Sequence, residues 1–149
     1  MYNALLGGTP SSKLFQNFRE KESLAYTVRS RYYRFKDIII IYAGIQKENF
    51  EKAKIVLEKE INKIKDGDIS DEEFYASKKS IISDLKEWND SKIALAKMFI
   101  SNLFANKENS LTLDEMIEKM NKVTKQDVID MANKISIEKI FFLGGEVNE

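Results

Sequence analysis

Histidine is absent from these 149 residues, and so is cysteine. The first absence removes a Ser-His-Asp triad, a Cys-His pair and any histidine-ligated zinc site from the chain. The second removes disulfides and thiolate chemistry, and is compatible with a reducing bacterial cytoplasm, the expected location. Proline occurs once, at Pro10. No apolar run approaches the roughly 18 residues that a membrane-spanning helix needs, and residues 1–6 are too short and uncharged to be a signal peptide. Charge of one sign is lacking too: 24 lysines and arginines face 24 aspartates and glutamates. A neutral chain has no general attraction to nucleic acid or anionic lipid, so neither is expected as a partner. A carboxylate-only magnesium site is left open, but no acidic cluster demands one.

What is present is an ordinary globular composition, 43% hydrophobic and 32% charged. This length suits a single domain with a real core. Residues 2–6 read as the last turn of a helix, stopped by Gly7 and Gly8 in the left-handed conformation that glycine tolerates. A domain rarely opens on a helix end, so an N-terminally incomplete fragment is expected. Ser11 or Ser12 caps a second helix, with Leu14, Phe15 and Phe18 as its apolar face. Leu24, Tyr26, Val28 and Ser30 then alternate with Ala25, Thr27, Arg29 and Arg31, which is strand periodicity. After a turn near Lys36 and Asp37, the β-branched run 38–45 reads as a buried central strand. The short connection makes the two strands an antiparallel hairpin.

Five helices follow. The first, 48–65, carries Phe50, Ala53, Val56, Leu57, Ile61 and Ile64 on one face and ends at Gly67. Ser70 with Glu73, Thr112 with Glu115 and Thr124 with Asp127 are capping boxes that open three of the others. Asp90 or Ser91 starts the remaining one. Residues 137–143 read as a closing strand that rejoins the sheet, stopped by Gly144 and Gly145. Strands grouped early with helices after them predict an α+β fold, an antiparallel sheet with helices packed on one face. The other face is left for a partner or a cavity.

Arg19 and Tyr26 are the candidate catalytic residues. A guanidinium is a permanent cation with a fork of donors, and a phenol offers one O–H. Aimed together at a carbonyl oxygen that gains negative charge, they would form an oxyanion clamp. The competing readings are structural. Tyr26 shares a strand face with Leu24 and Val28, which would place it in the core. Arg19 would pair with Glu20 or Glu22, or cap helix carbonyls. Gly7 and Gly8 have a similar split between a helix stop and backbone N–H groups offered to a ligand; no Gly-Lys-Ser/Thr follows, so they are not a P-loop.

The segment LLGGTPSSKLFQNFREKESLAYTVRS resembles the non-catalytic half of the pitrilysin, insulysin and mitochondrial-processing-peptidase family, the inverted zincins. There a helix ends in LGG, a loop leads to S-S-x-L-F-x-x-x-R-E, and a strand opens with G/A-Y. Arg19, Glu20, Leu24, Ala25 and Tyr26 match in place, and the later elements match in order over nearly the whole chain. The resemblance implies paired α+β domains closing around an extended peptide. Zinc sits on an H-x-x-E-H helix of the opposite domain, and Arg19 and Tyr26 contact the substrate backbone near the scissile bond. Gly7 and Gly8 fall where some members carry a loop implicated in substrate handling, which makes them substrate-binding candidates. This chain has no H-x-x-E-H. It is therefore expected to be inactive alone, to hold no cofactor, and to work with a zinc-bearing domain or subunit in a homo- or heterodimer. The alternatives are a structural core subunit of the same fold and a plain peptide-binding module.

Overall fold

Large apolar side chains near the start of the chain sit deepest in the core. Leu5, Leu6, Leu14 and Phe18 are at most 3% exposed, and full burial of such a side chain is worth about 1.5–3 kcal/mol. The computed structural model describes residues 1–104 and 111–144. Both N-terminal helices are wound wider than an α-helix, with π-helical segments at Ala4–Gly8 and Leu14–Lys21. Ser12 caps the second, accepting from the Phe15 N–H at 3.4 Å.

The expected role of Gly7 and Gly8 as left-handed stops is not what the structure shows. Both lie inside the first π-helix, and Gly67 is the glycine with a positive φ among the described residues. The pair is small because the space is taken. A Cβ on Gly7 would lie 3.0 Å from the backbone nitrogen of Ser30, and one on Gly8 would lie 2.9 Å from the carbonyl oxygen of Asn3.

The hairpin forms as predicted from β1 (Ala25–Tyr33) and β2 (Ile38–Ile45), paired antiparallel. Asp37 makes the turn at φ 51°. Val28 and Ser30 face inward, and Ile39, Ile41 and Ile45 of β2 pack against the same core. The first π-helix and the second both lie against β1. The reading of 38–45 as a buried central strand is overturned. Among the described residues β2 pairs only with β1, and Ile38 and Tyr42 are exposed. β-Branched residues favour an extended backbone wherever it lies; burial on both faces also needs neighbours on both faces.

The helices are α1 (Phe50–Lys65), α2 (Asp71–Asp90), α3 (Lys92–Phe104), α4 (Leu113–Lys122) and α5 (Lys125–Asn133). All three capping boxes form with both hydrogen bonds in place. Ser91 caps α3, accepting from the Ala94 N–H. α1 ends in a Schellman closure around Gly67: the Asp68 N–H reaches the Lys63 carbonyl at 2.8 Å and the Gly67 N–H reaches that of Ile64 at 3.2 Å. α1 packs on α5 and on the second π-helix; α2 packs on α3, α4 and the first π-helix. Two buried charges tie these layers together. Lys13, 3% exposed, bonds both carboxylate oxygens of Glu73 at 3.0 and 3.1 Å. Glu60, 2% exposed, accepts from Asn17 at 2.6 Å and from Lys63 at 2.7 Å.

The expected closing strand is absent. Residues 135–144 adopt no regular structure, and Phe141 and Leu143 are solvent-exposed. Phe142 instead stacks on Phe50 of α1 at 4.7 Å. A strand exists only by pairing, and the free edge of β2 is not taken up by this segment. Gly145, its expected terminator, lies outside the described residues. The architecture remains α+β: a two-stranded antiparallel sheet in a helix-rich domain.

Candidate functional site

Where the second π-helix gives way to β1, the chain has to close a wide helix and enter a strand within a few residues. Ser23 takes the left-handed position at φ 49°, a place glycine usually fills. The Leu24 N–H then bonds the Phe18 carbonyl at 3.0 Å, one residue wider than a Schellman bond because the helix is π-wound. A non-glycine residue held there costs on the order of 1–2 kcal/mol, so packing must hold it, and Leu24 beside it is buried.

β1 opens on a β-bulge. Ala25 pairs with Ile45 and Thr27 with Gly44, leaving Tyr26 as the extra residue between them. The bulge decides the orientation of Tyr26. Strict alternation places it inward with Leu24 and Val28, but one extra residue turns it out, and it is 73% exposed while Leu24 and Val28 are 3% and 5%. Bulges re-aim side chains in this way.

Arg19 and Tyr26 line one open groove of about 440 Å³, with Glu20, Ser23, Gln46 and Asn49 around them. Arg19 lies over the Phe15 ring at 4.7 Å, and its Nε is 3.7 Å from the Glu20 carboxylate. That separation is too long for a hydrogen bond, and the pair is solvated, so the guanidinium keeps its donors. Glu22, the other acid considered for Arg19, pairs with Lys52 of α1 at 2.9 Å instead, and Lys52 holds its carboxyl below the usual range. Gln46 Nε2 donates to the Tyr26 hydroxyl at 3.0 Å. With an acceptor lone pair occupied there, the phenol O–H is left to donate into the groove.

Gly7 and Gly8 are not brought to this groove; they sit under Ser30 and Asn3. Gln46, Ser23 and Asn49 are the groove residues that sequence reasoning missed. Gln46 directly follows the β2 run, so its nearness to Tyr26 follows from the hairpin register, a signal that was available. The left-handed Ser23 left no trace in residue type.

A family model described as the peptidase M16 inactive domain matches residues 1–81. The chain belongs to the peptidase M16 family, as its inactive domain. It is 34% identical over 108 residues to a probable inactive metalloprotease, YmfF, of Bacillus subtilis, covering 72% of this chain and 25% of that protein. It is 29% identical over 124 residues to an uncharacterized zinc protease, YmxG, of the same organism, covering 79% and 29%. Among solved structures, a conserved protein from Enterococcus faecalis V583 superposes with a TM-score of 0.89 at 31% identity, over 99% of this chain and 35% of that one. A protease from Helicobacter pylori shares the fold, with a TM-score of 0.73 at 22% identity over 89% of this chain and 33% of that one. The M16 chain thus spans about a quarter to a third of the length of these relatives.

Among the described residues, this M16 domain offers zinc no fitting set of ligands. The sequence has no histidine or cysteine, and among the described residues no group of three or more acidic side chains converges to hold a metal. No helix among the described residues is long and apolar enough to cross a membrane.

Proposed function

We propose that this inactive M16 domain binds an extended peptide and completes a metallopeptidase active site supplied by another domain or subunit. The observation that carries this reading is the shared groove: the bulge turns Tyr26 out beside Arg19, and both reach the same open space. The metal, and the water it would activate, belong to the partner. This chain's residues bind and orient. Arg19 offers fixed positive charge to a peptide carbonyl, and Tyr26, its oxygen engaged by Gln46, donates an O–H hydrogen bond to the same developing anion. One such donor is worth about 3–4 kcal/mol where water is excluded. The groove is open on this chain alone, so that value requires the opposing domain to close over it. The exposed edge of β2 would hold an extended peptide by strand addition.

The test is turnover by the full-length subunit with its zinc-bearing partner. Tyr26→Phe and Arg19→Ala should each lower kcat about a hundredfold, and unchanged turnover for both would end the proposal. A structural subunit of the same fold is the second reading. It is favoured by the relative named as a probable inactive metalloprotease, and it requires that neither substitution matter.

A further inference from the structure

The outer face of the hairpin carries a second constellation, separate from the groove lining. The register sets Arg29 opposite Tyr42 and Arg31 opposite Ile40, on the face that Thr27 and Tyr33 share. Arg29 lies 5.6 Å from the Tyr42 ring, Arg31 lies 5.4 Å from the Tyr33 ring, and the two hydroxyls meet at 3.1 Å. Cation–π contact with these rings costs the guanidiniums little of their hydrogen-bonding capacity. Both arginines are exposed, and among the described residues no carboxylate pairs with either. They follow Tyr26 on the same strand, at roughly 10 and 17 Å along an extended backbone.

Resting on the peptide-binding reading above, we infer that this face selects acidic peptides: Arg29 and Arg31 take carboxylates three and five residues from the one seated by Tyr26. Those two positions lie on one side of an extended ligand, because its side chains alternate. A nucleic acid fits the same cations less well. Its charge is uniform along the backbone, whereas the adjoining groove carries the Glu20 carboxylate and the whole chain is neutral. An acidic peptide places charge only where the arginines are.

The experiment is fluorescence anisotropy with the 149-residue chain and labelled twelve-residue peptides that differ only at those two positions, carrying Glu, Gln or Lys. The Glu peptide should bind about tenfold tighter than the Gln peptide, as two solvent-accessible ion pairs allow, and raised salt should erase the difference. Arg29→Gln with Arg31→Gln should remove the preference, and Arg29→Glu with Arg31→Glu should turn it toward the Lys peptide. Equal binding of Glu and Gln peptides overturns the inference, as does a preference that survives both double variants. So does a single-stranded oligonucleotide of matched length that displaces the Glu peptide at equal concentration. Arg19→Ala with Tyr26→Phe separates the two proposals. Binding that depends on Arg19 and Tyr26 but ignores acidity removes only the arginine track. Acid-selective binding indifferent to Arg19 and Tyr26 removes only the groove reading.

Discussion

The first thirty residues on one side, and β2 with α3 on the other, are both rich in large apolar side chains, yet they are buried to different extents. In the former, Leu5, Leu6, Leu14, Phe18, Leu24 and Val28 are all at most 5% exposed. In the latter, Ile38, Tyr42, Ile93, Phe99 and Leu103 are between 41% and 70% exposed, and neither element holds a fully buried residue. Apolar character makes burial favourable but does not supply the surface that does the burying. The N-terminal π-helices lie between β1, α1 and α2. β2 has a single neighbour in its sheet among the described residues, and α3 packs on α2.

The sharpest way to break this contrast is to delete the same kind of side chain in both regions. Leu14→Ala should cost about 2–5 kcal/mol, whereas Ile93→Ala should stay within about 0.5 kcal/mol; urea midpoints read both, and equal losses would dissolve the distinction. Next in size is Gly7→Ala. Its new methyl meets the backbone of Ser30, which cannot swing aside, and about 1–3 kcal/mol should be lost.

A smaller, pH-dependent effect is expected from the Lys13–Glu73 tie. Burial pushes the Glu73 carboxyl up, but the Ser70 N–H and the Lys13 ammonium outweigh it and hold the group below its usual 4.5. A carboxyl lowered on folding stabilises above that usual value and loses its contribution as pH falls through the folded value. Glu73→Gln should therefore cost most at neutral pH, with the gap to the parent narrowing as pH drops below 4.5. A gap constant with pH would show the pair to be inert. The smallest effect is at the exposed groove: Gln46→Ala should leave the urea midpoint unmoved while lowering peptide turnover about fivefold, the worth of one hydrogen bond.

Much of the fold was legible because it is encoded locally. Ser70 with Glu73, Thr112 with Glu115 and Thr124 with Asp127 each satisfy backbone donors within one turn, so their spacing alone locates three helix starts. The alternation in 24–31 and the run 38–45 mark extended backbone on the same grounds. Gly7 and Gly8 were misread because a stop and a close approach select the same residue, and the deciding neighbours, Ser30 and Asn3, are brought there by the fold. Residues 137–143 have strand composition but no strand partner among the described residues.

Of the candidate site, the residue types Arg19 and Tyr26 were in view from the start, since a permanent cation and a phenol are visible in the letters. Their common orientation was not. Strict period-two counting turns Tyr26 inward, and a bulge of one residue against Ile45 and Gly44 reverses it. The sequence by itself determined helix starts, strand propensity and the absence of any histidine-based centre, because these depend on neighbours in the chain or on composition. Tertiary structure alone decided which apolar faces are covered and which way Tyr26 points, because each depends on pairing between residues far apart in sequence.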